Sequence, residues 1–489
     1  MNLSRACATL TAVLVAAGAA PAFAAPAPSV RTTVRFVRTF DGAPANGPSR
    51  NPAVSGDGRI ARVMAYESDA SNVVPGDTND ATDIFLVYRA PGWGPNGTPW
   101  QPLRTELASR GLRDKPATGR SWDPELDGDS QHAPKCVAFI SDATNLVRGD
   151  TNGVADAFVY YFRSHKMIRV SVGSRGQQAN GPSTDVSVSG DCDRVAFSST
   201  ATNLALERRD LRGLPATRKA AWRSALSGPP PPGVSQVYVH MNRAHKLNKD
   251  FNGLTLLASR STAGQPGDHS SYDVDFAASG KAIVFTSLAR LDSADRNGFE
   301  DIYRVNFGRR FRDLGHGRGA QTLTFRTDVV SQGGNAPSSD AAVSDDGRYV
   351  AYQTEASNLL PGDTNGVSDI AEADMVGRPP RQSWVSESKS IGEPGNGPSD
   401  EPDISGAADF VLFDSAATNL LPSRSHVDPD GVRDVFLWNR PTGNASLESR
   451  ASTDVFMNTA STNPATSSHG NYVLFESGGT VYLRYEGPR

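Results

Sequence analysis

Five segments of the chain carry acidic and amide side chains at a spacing that could hold a metal ion. Each follows the pattern Asp-x-Asn/Asp-Gly-x-x-Asp, with Asp80 at the glycine position of the first. The candidate ligands are Asp77, Asn79 and Asp83; Asp150, Asn152 and Asp156; Asp295, Asn297 and Asp301; Asp363, Asn365 and Asp369; and Asp428, Asp430 and Asp434. Carboxylate and amide oxygens at alternate positions suit a hard cation, so the pattern predicts calcium loops, although the spacing is not that of an EF-hand.

The same residues suit a loop that binds no metal. Asn-Gly favours tight turns between strands, and Asp side chains accept hydrogen bonds from nearby backbone amides. We favour this interpretation and keep calcium as the alternative. No other cofactor is indicated.

A second short pattern, Ala-Ser/Thr-Asn-Leu/Val, places an asparagine directly after a predicted strand. Buried backbone groups need hydrogen-bond partners, and a side-chain amide can supply both a donor and an acceptor. We therefore expect these residues to hold the adjoining loop, rather than a ligand. They are Asn72, Asn145, Asn203, Asn358 and Asn419.

The sequence lacks the common catalytic motifs. It contains no Gly-x-Ser-x-Gly elbow, no His-Glu-x-x-His and no Cys/His zinc spacing. Its eight histidines are scattered. Aspartates and glutamates are abundant, but sequence alone cannot pair two carboxylates as a glycosidase requires. No catalytic residue is assigned, and the question of an enzyme stays open.

The N-terminus and the cysteines indicate export. Arg5, the apolar stretch 10–20 and Ala22-Phe23-Ala24 form a predicted secretory signal peptide over residues 1–24. Two cysteines follow it, Cys136 and Cys192, and an exported chain with two cysteines predicts one disulfide. Two buried free thiols are the alternative. No later apolar stretch could span a bilayer.

Composition describes a globular chain. It has 489 residues, of which 38% are hydrophobic and 21% charged, and its net charge of −4 argues against a nucleic-acid binder. The 46 glycines and 33 prolines suit many turns between short strands.

An internal repeat sets the fold. Copies of "NGPS", "SGDGR", "VAF-S", "ATNLVPGDTNG" and "DIFLV" begin near residues 46, 121, 180, 269, 335, 396 and 463. Each copy breaks into four short β-type runs separated by turn residues, as in a β-propeller blade. The seventh copy ends after three runs, so residues 33–40 should complete it. The prediction is an all-β propeller of seven four-stranded blades over residues 25–489, with six or eight as alternatives.

The segment "S-x-DG-x-x-VAF-x-S" followed by "D-I/V-F/Y" is similar to the WD40-like repeat of TolB-type propellers. The resemblance spans nearly the whole chain after residue 33. It implies the fold and does not imply a single function, because such repeats occur in periplasmic scaffold proteins and in propeller domains of peptidases. No hydrolase segment follows the propeller.

One segment departs from the repeat. Residues 207–234 are basic and proline-rich, with a predicted short helix over 216–226. They form either a docking element for an anionic partner or, as we favour, a solvated insertion.

These patterns favour a secreted, non-catalytic binding or scaffold protein, monomeric, that recognises a protein or a cell-envelope glycan on one loop face. The alternative is an extracytoplasmic polysaccharide hydrolase or lyase with its site at the channel mouth. A compact cluster of acids with a His or Arg there would favour that alternative.

Overall fold

Each copy of the repeat folds into one antiparallel sheet of four strands. The computed structural model describes residues 31–58, 60–91, 100–242, 251, 253–313, 319–388, 392–421, 431–452 and 457–487. The predicted signal peptide, Asp428 and Asp430 lie outside these residues. The first three blades contain β2 (Ser49–Val54), β3 (Val63–Ser68), β4 (Asp83–Arg89) and β5 (Pro102–Leu107); β6 (Ser121–Leu126), β7 (Cys136–Ser141), β8 (Asp156–Tyr161) and β9 (Lys166–Arg169); and β10 (Ser183–Val188), β11 (Arg194–Ser199), β12 (Gln236–Met241) and β13 (Leu254–Leu257). The next three contain β14 (Ser271–Phe276), β15 (Ala282–Ser287), β16 (Asp301–Asp313) and β17 (Gly319–Val329); β18 (Ser338–Val343), β19 (Tyr349–Thr354), β20 (Asp369–Asp374) and β21 (Arg381–Trp384); and β24 (Ser399–Ile404), β25 (Phe410–Ser415), β26 (Asp434–Asn439) and β27 (Asn444–Leu447). The seventh contains β28 (Ser461–Thr466), β29 (Tyr472–Ser477), β30 (Thr480–Tyr485) and β1 (Thr32–Arg35), while the two-residue strands β22 (Glu387–Ser388) and β23 (Glu393–Pro394) form a separate hairpin.

The seventh blade closes the ring with strands from both ends of the chain. β28, β29 and β30 supply three strands, and β1 pairs antiparallel with β30, from Thr32 opposite Tyr485 to Arg35 opposite Tyr482. The seven-bladed propeller is therefore confirmed, as is the contribution of the N-terminal strand to the last blade. Closure leaves no open end in the ring of blades.

Aromatic side chains explain why the second and third strands of a blade stay together. In six blades a ring on the second strand stacks on a ring on the third, with centroids 5.6 to 6.1 Å apart. These rings come from the "VAF" and "DIF" segments of the repeat. Tyr66, Phe85, Phe139 and Phe158 are examples, and all four are fully buried. Such stacked pairs add to the free energy gained by apolar burial.

A disulfide joins the second and third blades. Cys136 and Cys192 are bonded, with their Cα atoms 6.4 Å apart and 56 residues between them in sequence. Both cysteines are buried. In the chain-entropy model a loop of this length stabilises the folded state by about 4 kcal/mol.

The basic segment 207–234 lies against the fourth blade. It contains α1 (Ala216–Trp222), between the 3-10 turns Arg208–Leu211 and Arg223–Ala225. Trp222 is buried in one core cluster with residues of β17. The segment is thus anchored through its apolar side chains. None of the helices that the structure describes is long and apolar enough to cross a membrane.

Candidate binding site at the channel mouth

The first strand of every blade is built alike. Each begins with a serine, and in five blades that hydroxyl bonds to a Ser or Thr hydroxyl on the second strand at 2.8 to 3.0 Å. The pairing of first and second strands shifts register within each blade, between the second and the fifth residue in most of them. This bulge re-aims the third residue of the strand.

The third residues are acidic or amide side chains in all seven blades. They are Asn51, Asp123, Asp185, Asp273, Asp340, Glu401 and Asn463. Six of them, all but Asp185, have a positive φ of 47 to 58°. Asp and Asn tolerate this conformation better than most residues, which partly explains their repetition.

Hydrogen bonds between neighbouring blades pass through these positions. The backbone N–H of Asp123 donates to Glu67 of the preceding blade at 2.9 Å, and Asn51 N–H donates to Glu476 at 2.7 Å. In the other direction, the Asp123 carboxylate accepts from Val186 N–H of the next blade at 2.8 Å. These acidic side chains therefore help to hold adjacent blades in register.

Carboxylates from the second to the sixth blade influence one another around the axis. Burial, and after it the charge of Asp185, raises the pKa of Asp123 to about 8. Burial likewise raises the pKa of Asp340 to about 7, with Asp273 adding to the effect. Two residues beyond Asp123, Glu125 has a pKa well above its usual range, through burial and then through Asp123.

We call the acidic side chains at these third and fifth positions the axial carboxylates. They are Asp123, Glu125, Asp185, Asp273, Asp275, Asp340, Glu401 and Asp403. Most are half-buried, whereas Asp273 and Glu401 are exposed. They are thus reached by solvent in the channel. Beyond the effect of burial, neighbouring carboxylates raise the pKa of five of them: Asp123, Glu125, Asp273, Asp340 and Asp403.

A cavity of about 390 Å³ lies beside this ring, on the first three blades. Its lining comprises Arg50, Glu67, Thr82, Arg120, Trp122 and Thr184. Arg50, Trp122 and Thr184 are the second residues of their strands, next to the axial carboxylates. We call this cavity, with the adjoining axial carboxylates, the channel mouth.

The side chains of the channel mouth are held by one another. The Arg50 guanidinium lies 2.6 Å from Glu67, and the Arg120 guanidinium lies 4.7 Å above the Trp122 ring. The Trp122 indole donates to the Thr184 carbonyl at 3.3 Å, so one edge of the ring is fixed. The ring is half-buried.

The other end of the channel is narrowed by turns that meet around the axis. Backbone hydrogen bonds link these turns from blade to blade: Gly190 to Ala278, Ser279 to Asp345, and Asp345 to Gly406, at 2.9 to 3.0 Å. The turns of the first two blades touch as well, because a Cβ on Gly56 would lie 2.5 Å from the Gly128 carbonyl oxygen. A ligand therefore has more room at the channel mouth.

The predicted calcium loops are held mainly by protein groups. The last Asp of each loop opens the third strand and accepts from a serine before the next blade. These pairs are Asp83 with Ser109, Asp156 with Ser171, Asp301 with Ser331, Asp369 with Ser386, and Asp434 with Ser449. The asparagines Asn152, Asn297 and Asn365 donate to carbonyls of the following blade at 2.9 to 3.2 Å.

The loops differ in what neutralises them. In the second blade the Arg169 guanidinium lies 2.8 Å from Asp150 and 3.0 Å from Asp156, so a cation already occupies that loop. In the first, fourth and fifth blades, Asp83 Oδ2, Asp301 Oδ2 and Asp363 Oδ1 are buried and have no hydrogen-bond partner among the described residues. The donor set there fits a hard cation best.

The asparagines of the second pattern hold the adjoining loop, as predicted. Asn72 donates to the Pro44 carbonyl at 2.9 Å and accepts from Asn46 N–H at 3.0 Å. The corresponding bonds recur for Asn145, Asn203, Asn358 and Asn419.

Sequence reasoning missed the axial carboxylates. The signal was present, since an acid occurs two residues after the strand serine in five consecutive copies: "SWD", "STD", "SYD", "SSD" and "SDE". What the sequence could not show is that the ring closes and brings these five residues to one axis.

No protein-family model matches the chain, and no curated protein matches it. Similar solved structures include a protein from Agrobacterium tumefaciens described as a TolB, 14% identical, with a TM-score of 0.34, covering 78% of this chain and 94% of that one. An acylaminoacyl peptidase in complex with Z-Gly-Gly-Phe-chloromethyl ketone is 11% identical, with a TM-score of 0.44, covering 91% of this chain and 52% of that one. The acylaminoacyl peptidase of Pyrococcus horikoshii is 11% identical, with a TM-score of 0.41, covering 88% and 49%. Identities and TM-scores this low say nothing about activity.

Proposed function

We propose that this chain is a non-catalytic binding protein that takes a glycan at the channel mouth. The observation that supports the proposal is the meeting of a half-buried indole, two guanidinium groups and carboxylates around one cavity. An aromatic ring packs against the apolar face of a sugar, and carboxylates accept hydrogen bonds from its hydroxyls. A cavity of about 390 Å³ falls within the range of pockets that hold small ligands.

The charge of the site favours one kind of glycan. An anionic sugar placed beside the axial carboxylates would disfavour their ionisation further, so uronic acids and phosphorylated sugars would bind less favourably there. Sugars with amino groups or free hydroxyls avoid this effect. We therefore assign the channel mouth to neutral or amino-bearing glycans.

The place of action is outside the cytoplasm. The disulfide between Cys136 and Cys192 supports this, because structural disulfides persist mainly in oxidising compartments. The predicted signal peptide agrees with it. A monomer in contact with the cell envelope remains part of the proposal.

Calorimetric titration of the full chain with glucosamine and N-acetylglucosamine oligomers tests this function. We expect saturable binding that Trp122→Ala weakens about tenfold or more, since stacking and burial of an aromatic ring contribute more than 1 kcal/mol. Trp384→Ala is the matched control, because Trp384 is also half-buried but lies on an outer strand of the fifth blade. Absence of binding by every oligomer, or equal loss in both variants, would contradict the proposal.

A hydrolase or lyase at the same place is the second candidate. Asp123, with a pKa of about 8, keeps its proton at neutral pH as a general acid must, and Glu67 and Arg50 lie in the same site. The acids and arginines expected for this alternative are therefore present. Release of reducing ends from a bound polysaccharide, abolished by Asp123→Asn, would establish it, and binding without release would exclude it.

A further inference from the structure

A larger cavity, of about 940 Å³, lies on the outer flank of the propeller between the first two blades. It is lined by β5, by the two connecting segments 110–114 and 146–148, and by the turn between β8 and β9. We call it the flank cavity. Its lining differs from that of the channel mouth, because outer strands rather than innermost strands form it.

Basic side chains dominate this lining. Five permanent cations face two carboxylates, Glu106 and Asp114; the cations are Arg104, Arg110, Arg113, Arg148 and Lys166. Glu106 is already engaged, since it accepts from Arg104 at 2.8 Å and from the Tyr160 hydroxyl at 2.5 Å.

Four of the cations have no partner of their own. Arg110, Arg113, Arg148 and Lys166 are exposed, and none of their side chains makes a hydrogen bond or an ion pair with another residue of the described ranges. Like charges that share one cavity repel one another. An anion that binds between them reduces this repulsion and so stabilises the folded protein.

The repeat shows what these positions do elsewhere. A serine follows the fourth strand of each of these blades, and positions can be matched by counting from it. On this count Arg113 corresponds to Arg175 of the second blade, and Arg110 corresponds to Arg260 of the third blade. Arg175 lies 2.9 Å from Asp210, and Arg260 donates to the carbonyls of Ser224 and Ala225 at 2.8 and 3.1 Å.

In those blades oxygen atoms of the segment 207–234 satisfy the arginines. Among the described residues no insertion lies between the first and second blades, and the equivalent arginines line the flank cavity. Arg148 adds a cation where the first and fifth copies have Pro75 and Pro361.

The backbone of the connecting segment 110–114 is also unusual. Arg113 and Asp114 are consecutive non-glycine residues with φ of 63° and 57°, and Gly176 stands where Asp114 would be in the next blade. The bridge between Gly111 and Lys115 and a bond from Leu112 N–H to the Asn145 carbonyl at 2.8 Å hold the turn. Arg113 is thus presented by a fixed turn.

We propose that the flank cavity binds a polyanionic ligand, one that carries several phosphate or carboxylate groups close together. Guanidinium groups pair with such groups through two parallel hydrogen bonds, and a ligand with several anionic groups can engage Arg110, Arg113 and Arg148 together. This site is separate from the channel mouth and would remain if the proposed function there failed.

Titration calorimetry of the full chain at low salt, with inorganic tripolyphosphate in one arm and trigalacturonate in the other, tests this inference. We expect one saturable site for at least one probe, weakened about tenfold or more by Arg113→Gln with Arg148→Gln, because charge-assisted hydrogen bonds are lost. A response to only one probe identifies phosphate or carboxylate as the preferred group.

Arg381→Gln is the control, because Arg381 is an exposed arginine on an outer strand of the fifth blade. Binding of neither probe would overturn the inference. An equal loss in the control would also overturn it, since attraction would then come from overall charge. All three arginines are exposed, so the variants should fold, and an unchanged unfolding temperature verifies this.

Discussion

The axis of the propeller gathers acidic side chains and the flank cavity gathers basic ones, within one chain whose net charge is only −4. At the axis, five blades each bring at least one carboxylate to a common point, and the cost is visible in the raised pKa of Asp123 and of Asp340. At the flank, the first two blades bring together arginines of which three, Arg110, Arg113 and Arg148, form no ion pair among the described residues. The repeat therefore fixes the backbone positions, whereas the side chains at those positions determine whether a surface is acidic or basic.

Replacing a buried arginine should have the largest effect and sharpens the contrast with the free arginines. Arg169 lies between Asp150 and Asp156, all three nearly inaccessible. Arg169→Met leaves two buried carboxylates without a cation, which typically costs about 3–5 kcal/mol. Urea unfolding measures the loss.

Arg113→Met is the matched comparison for that experiment. Arg113 is exposed and has no partner in the described part of the chain, so its removal should change the free energy of unfolding by less than about 0.5 kcal/mol. Equal destabilisation by the two variants would show that the flank cations are structural.

The fold could be predicted from the sequence further than the site. The seven copies, their four runs and the completion of the last blade by an N-terminal strand all follow from the repeated sequence. The repeat predicts that strand within 33–40, and the structure has it at Thr32–Arg35. Closure by β1 needed no more than a missing strand at one end and a spare one at the other. The disulfide also followed, since Cys136 opens the second strand of its blade and Cys192 lies just before the equivalent strand of the next blade.

The two sites escaped sequence analysis for different physical reasons. The axial carboxylates lie in different copies, far apart in sequence, and only the closed ring gives them a common axis. The flank cations form a site because no described residue pairs with four of them, and the lack of a partner is a property of three-dimensional packing. Arg175 and Arg113 look alike in sequence, yet only Arg175 meets Asp210.

Stability should fall as the pH rises, which tests the charge assigned to the axis. A raised pKa means that the folded chain retains protons the unfolded chain has already lost, as for Asp123 at about 8 and Asp403 at about 7. The stability that these retained protons contribute is fully present below about pH 4. It is lost as the pH rises from about 4 to about 8. We expect a lower unfolding temperature at pH 8 than at pH 5.

Glu125→Gln should reduce that pH dependence. Glu125 has a strongly raised pKa, and no described residue donates a hydrogen bond to its carboxylate. Removing its charge should raise the unfolding temperature at pH 8 and leave that at pH 5 nearly unchanged. Glu355→Gln, on an exposed loop, is the control. The same pH dependence in both variants would refute repulsion at the axis.

Calcium should give the smallest effect, confined to loops that lack an internal cation. Binding to the folded state alone raises the unfolding temperature. We expect a rise of a few degrees in millimolar calcium, reversed by EDTA. Asp77→Asn, Asp295→Asn and Asp363→Asn together should remove it, and Asp150→Asn should retain it, because Arg169 serves that loop. No rise in the unchanged protein would leave all five loops as turns.

The central claim is that one propeller holds two separate sites of opposite ligand preference. A crossed titration tests it directly: the unchanged protein, Trp122→Ala and the Arg113→Gln/Arg148→Gln variant, each against a glucosamine trimer and against trigalacturonate. We expect Trp122→Ala to lose binding of the glucosamine trimer only, and the arginine variant to lose binding of trigalacturonate only. Loss of both ligands in either variant, or of neither ligand in both variants, would contradict it.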